Sequence, residues 1–183
     1  FAWPDPLDPG RYRSLRRQAE AHRARTDAAN ILVLGVGAVH QIQFMRGYAA
    51  SLEDLIIAPD FVQAFMDRYV DFWVRLTEWA LKEVGDLVDV AMFGDDLGTQ
   101  QGPVMSPALY RRLIKPYHAR MVRAVKSFHR PLLLHSCGSV AAFLPDPPRI
   151  VVLPTGAGQP RELPTGGHSV EGAEWFPDGR RIL

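Results

Sequence analysis

Three short apolar runs, ILVLGV (31–36), LVDVAMF (87–93) and LLLH (132–135), alternate with stretches whose apolar residues recur at helical spacing. This alternation constrains the fold more than any other feature. Strands joined through helices run parallel, because the crossover returns the chain to the same end of the sheet. An α/β fold is expected, with its chemistry at the carboxyl ends of the strands. The helical stretches agree. Over 60–84, Val62, Phe65, Met66, Tyr69, Phe72, Trp73, Leu76, Trp79 and Ala80 make one apolar stripe. Asp60 is the expected N-cap after Pro59, and Gly85 the stop. The aromatics read as core. Residues 11–26 read as an arginine-rich surface helix. Ser106 before Pro107 reads as another helix start, bent or restarted at Pro116 and ending near Ser127. Residues 1–10 hold three prolines and read as an extended arm.

Two polar clusters fall at strand ends: Gly94-Asp95-Asp96 and His135-Ser136-Cys137. Residues i and i+2 of a strand project to the same face, so His135 and Cys137 leave together if the extended geometry persists. One nitrogen and one sulfur so placed are two ligands of a zinc site. A lone cysteine also packs as a small hydrophobe, and the local pattern leaves both readings open. Asp95 and Asp96 either face a cavity or cap a neighbouring segment through its backbone N–H groups. Gly35 and Gly37 have no third glycine in register, which excludes a dinucleotide fingerprint.

The totals narrow the function classes. A chain of 183 residues supports one core, or one core plus an appendage. A net charge of +1 gives no electrostatic case for nucleic acid. No apolar run approaches the roughly 20 residues of a membrane span. Cys137 is the only cysteine, which excludes an internal disulfide and fits a reducing cytoplasm. The chain opens on Phe1, as a fragment or processed product would. Beyond residue 145 the composition shifts to proline and glycine, which rules out helix. IVVL (150–153) and EGAEWF (171–176) are strand candidates there, and Pro177-Asp178-Gly179 is a turn signal.

The middle of the chain, GDDLGTQQGPVMSPALYRRLIKPYH (94–118) followed by LLLHSCGSV, resembles the uroporphyrinogen decarboxylase superfamily. It is most similar to the branch that includes corrinoid-dependent methyltransferases. WPDPLDPGRYRSL (3–15) and MRGYAASLEDLIIAPDF (45–61) match the same branch. The resemblance implies a (β/α)8 barrel, here its N-terminal half over 1–145, because a full barrel needs about 250 residues. Residues 146–183 form an irregular β-rich tail that resembles a fragment of a TolB or WD40-like β-propeller.

By resemblance, His135 and Cys137 match the first two ligands of a zinc that holds an acceptor thiol as thiolate. The family's later cysteine has no counterpart. The site is therefore expected to be incomplete and weak, with Asp95 or Asp96 as substitutes for the third ligand. Asp95 and Asp96 are the catalytic candidates, and Arg46 and Gln100 the candidates for substrate binding. The implied function is zinc-dependent methyl transfer from a corrinoid to a thiol. The alternatives are decarboxylation of a tetrapyrrole side chain, with an acidic residue against the pyrrole nitrogens, and an inactive piece with only a structural or binding role. A corrinoid protein or a tetrapyrrole is the expected partner. An open sheet edge makes self-association a further expectation.

Overall fold

The structure is a computed structural model that describes residues 2–10, 12–143, 150–152 and 161–163. Its centre is a three-stranded parallel sheet in the order β1 (Ile31–Val36), β2 (Val90–Gly94), β3 (Leu132–His135). Three helices connect β1 to β2: α2 (Ala38–Arg46), α3 (Tyr48–Ile57) and α4 (Pro59–Val84). A single turn, α5 (Pro107–Leu109), leads through a π-helical turn, Tyr110–Ile114, into α6 (Lys115–Lys126), which returns to β3. A first helix, α1 (Leu15–Arg23), precedes the sheet. It is shorter than the expected 11–26, and Arg16 and Arg23 tie it to Asp86 and Asp89 at 2.9 and 2.7 Å. Two further strands, β4 (Ile150–Val152) and β5 (Arg161–Leu163), pair antiparallel with each other. The strand expected at 171–176, the turn at Pro177-Asp178-Gly179 and most of the propeller-like tail lie outside the described residues.

Period-3.6 patterning builds α4 and period-2 patterning builds the sheet. Along α4, Val62, Met66, Val70, Trp73, Thr77, Leu81 and Val84 are buried at intervals of three and four. Val62, Met66, Val70, Trp73 and Leu81 share one core cluster with Leu34, Ala91 and Phe93 of the sheet. Each such apolar residue contributes about 1.5–3 kcal/mol relative to exposure. Trp73 also donates its Nε1–H to the Leu34 carbonyl at 2.9 Å, and Tyr69 its hydroxyl to the Val36 carbonyl at 2.6 Å. The remaining aromatics of the stripe do other work. Phe65 and Trp79 receive the N-terminal arm, through Trp3 and Tyr12 at ring separations of 6.0 and 5.0 Å.

Asp60 is not the N-cap of α4. The helix starts one residue earlier, with Pro59 in its first turn and Ala58 at the cap without a side-chain bond. Proline's fixed φ suits that position, and Asp60 then places its charge in the first turn, where the helix dipole favours it. Ser106 does cap its helix, its Oγ accepting from the Leu109 N–H at 3.2 Å.

The face of the sheet opposite the helices is bare among the described residues. Ile31, Val33 and Leu133 are 52, 66 and 42 % exposed there, and β1 and β3 are both edge strands. An apolar face between two open edges invites pairing with another chain. The isolated chain is expected to associate with rising concentration, and Val33→Lys to reverse that association. Sedimentation velocity checks both. A wild-type monomer at all concentrations would contradict the expectation.

Candidate functional site

The carboxyl ends of the three parallel strands share one rim, and strand parity sorts the side chains there. Ala91, Phe93 and Asp95 alternate toward the helices, and all three are fully buried. Gly94 and Asp96 alternate the other way, as do Leu133, His135 and Cys137 on the neighbouring strand and its extension. Asp96, His135 and Cys137 therefore meet on the open side of the rim, while Asp95 lies beneath it.

Asp95 is held by three donors. Its carboxylate accepts the backbone N–H groups of Val39 and His40 at 3.3 and 2.7 Å, in the first turn of α2. It also bonds His118 Nε2 at 2.8 Å. A negative group here satisfies two orphan donors of the helix and complements its dipole. The approach is close enough to require glycine: a Cβ on Gly37 would lie 2.3 Å from the Asp95 carboxylate. The bulge in β1 that follows Val33, with Gly35 at φ +83°, turns the chain into this position. His118 Nδ1 in turn stands 3.2 Å from the Tyr110 hydroxyl. Burial, then the Asp95 charge, raises the Tyr110 pKa.

Asp96 faces the other way. One carboxylate oxygen accepts the Cys137 N–H at 2.9 Å and stands 3.8 Å from His135 Nε2. The second oxygen stands 3.8 Å from His40 Nδ1. The Cys137 N–H is the main cause that holds the Asp96 pKa below its ordinary value. The reverse holds for Cys137, whose thiol is raised by its hydrogen bond to Asp96 and by that residue's charge.

Asp96, His135 and Cys137 each offer one ligand atom, and the three atoms lie within 4.8 Å of one another. Zinc–sulfur and zinc–nitrogen bonds at a tetrahedral angle set their donors about 3.6 Å apart. Cys137 Sγ and His135 Nε2 stand 3.4 Å apart. Sulfur, imidazole and carboxylate together are a zinc-type donor set, so these residues fit the metal.

Two glycines hold the loops that carry this set in contact. A Cβ on Gly138, at φ +74°, would lie 2.4 Å from the Gly98 backbone, and one on Gly98 would lie 2.7 Å from the Ser139 carbonyl. Only bare backbones can pass this closely. Ser136 secures the same junction, accepting the Leu97 N–H at 2.9 Å.

Beside the donor set lies an open cavity of about 310 Å³. His40, Gln43, Phe44 and Tyr48 from α2 and α3 form one wall, and Asp96 and Cys137 the other. Arg46 and Gln100 do not line it. Arg46 pairs with Asp54 at 2.8 Å between α2 and α3, and Gln100 is exposed in the turn closed by Thr99 and Gly102. Sequence reasoning passed over His40, Gln43 and His118. The available signal for His40 was its place a few residues past the end of ILVLGV, on the same rim as the two polar clusters.

A parallel βαβαβ sheet with its polar residues gathered at the carboxyl rim defines an α/β protein, consistent with part of a (β/α)8 barrel. The family model for uroporphyrinogen decarboxylase (URO-D) matches residues 8–151, and the chain belongs to that family. The match passes the expected boundary at 145 and names no branch within the family. No curated protein and no solved structure matches the chain. No helix among the described residues is long and apolar enough to cross a membrane.

Proposed function

We propose that Asp96, His135 and Cys137 bind zinc and that the site serves methyl transfer from a corrinoid to a thiol. The observation that carries this reading is the convergence of one sulfur, one nitrogen and one carboxylate oxygen on the open side of the rim. Zinc bound there would hold an acceptor thiol as thiolate at neutral pH. Of the two aspartates the sequence offered as third donor, Asp96 is the one beside His135 and Cys137, so binding is expected to be tighter than two ligands alone allow. His40 stands against the second Asp96 oxygen and orients the carboxylate, as outer partners of metal ligands do. In the net change, a sulfur–carbon bond forms and the cobalt–carbon bond breaks, its electron pair staying on cobalt.

The decarboxylase alternative needs a carboxylate free to face pyrrole nitrogens. Asp95 is buried and spends its oxygens on three donors. Asp96 is directed at Cys137 and the two histidines. This favours methyl transfer. The test is zinc-loaded protein with methylcobalamin and 3-mercaptopropionamide, followed by the cobalamin spectrum and by thioether mass. Methyl transfer that disappears in Cys137→Ser is the expected result. Carbon dioxide release from uroporphyrinogen would favour the decarboxylase instead, and inactivity in both assays would leave a structural or binding role.

A further inference from the structure

The cavity beside the donor set contains a polar group without a partner. Gln43 lies on α2, one turn beyond His40, and is only 9 % exposed. Gln43 lines the cavity wall, and its Nε2 is sealed from solvent without a hydrogen-bond partner among the described residues. No described residue bonds its oxygen either. A buried amide nitrogen left unpaired is unfavourable, and α2 carries it on a residue that borders the same cavity as Asp96 and Cys137. A half-turn about the last side-chain bond exchanges nitrogen for oxygen, so the amide can present an N–H to whatever fills the space.

The space is small. About 310 Å³ corresponds to about ten water volumes at ~30 Å³ each. That is room for a small compound, or for one end of a larger one, because the cavity is open to solvent. Its walls are mixed: the rings of Phe44 and Tyr48 give apolar surface, with His40 packed on Phe44 at 4.4 Å. A ligand here would place one end at the Cys137–Asp96 wall and the other against α2.

We infer that Gln43 is the specificity-determining residue of this site, and that the acceptor is a small thiol whose far end bears a carbonyl oxygen that the Gln43 amide hydrogen-bonds. This rests on the metal reading above and adds what the site recognises. The cation proposed at Asp96, His135 and Cys137 would place the sulfur end, and the orphan amide would place the opposite end. A site with a buried donor rejects an analogue that cannot pair with it.

The experiment uses the whole chain loaded with cobalt(II), whose visible bands report its ligands, and two thiols of equal size. One is 3-mercaptopropionamide and the other its apolar isostere, 3-methyl-1-butanethiol. Wild type is expected to bind the amide about tenfold more tightly than the isostere. In Gln43→Leu the two thiols should bind alike, with cobalt stoichiometry and bands unchanged. Gln43→Glu, which keeps the shape but removes the donor, is the second variant should leucine impair folding, and it too should lose the preference. Equal binding of the two thiols by cobalt-loaded wild type, or a preference surviving in Gln43→Glu, would overturn the inference alone. Absence of any cobalt band would overturn the metal reading, and this inference with it.

Discussion

Asp95→Ala is expected to destabilise the chain by about 3–5 kcal/mol, the cost of removing one partner from a buried charged network. That is a large share of the 5–15 kcal/mol that holds a typical domain together, so the urea midpoint should fall far below that of wild type. The substitution strands the buried Val39 N–H and His118 Nε2, and the part-buried His40 N–H, without their acceptor. It also removes the group that fixes the start of α2, and with it the cavity wall that His40 and Gln43 provide. Asp96→Ala, one residue on, should cost no more than about 1 kcal/mol, because its bond to the Cys137 N–H lies at the surface. Urea denaturation followed by circular dichroism separates the two. Equal midpoints for Asp95→Ala and wild type would show that the buried network does not support the fold.

The contrast between these neighbours shows where the sequence was legible. The strand–helix alternation, the α4 stripe and the two rim clusters could all be read from pattern, because each rests on burial of apolar residues at a fixed period. Which aspartate points inward depends on strand parity continuing through Gly94, and the parity of Ala91 and Phe93 already contained the answer. The helices α2 and α3 were not legible for a physical reason. Their buried positions include Gln43, Ser51 and Asp54, so no clean apolar stripe marks them. Ser51 is satisfied through the Tyr48 carbonyl and Asp54 through Arg46, partners that only the folded chain supplies. The same holds for Arg46, a candidate for substrate binding whose guanidinium serves Asp54. His118 sits one turn or more from any polar cluster in sequence and finds Asp95 only when α6 packs under the rim.

Metal affinity carries the second large effect. Removing a direct ligand should weaken zinc by at least the ~100-fold that loss of an outer partner can reach. Cys137→Ser and His135→Ala each delete one of the two donors that stand 3.4 Å apart, and Asp96→Asn weakens the third. Zinc takes cysteine as thiolate, and the Asp96 hydrogen bond and charge raise the Cys137 pKa, so affinity should rise with pH, and chelation should be easier in acid. None of these three substitutions touches the buried network around Asp95, so the fold should survive all of them.

The most direct measurement of the central claim is zinc stoichiometry by elemental analysis, after dialysis against one equivalent of metal. Wild type, Cys137→Ser, His135→Ala and Asp96→Asn are compared, with Gln100→Ala as a control away from the donor set. One zinc per chain in wild type and in Gln100→Ala, falling to a small fraction in Cys137→Ser and His135→Ala and to an intermediate value in Asp96→Asn, is the predicted result. Zinc at equal content in all five proteins, or absent from wild type, would contradict a metal centre at this rim.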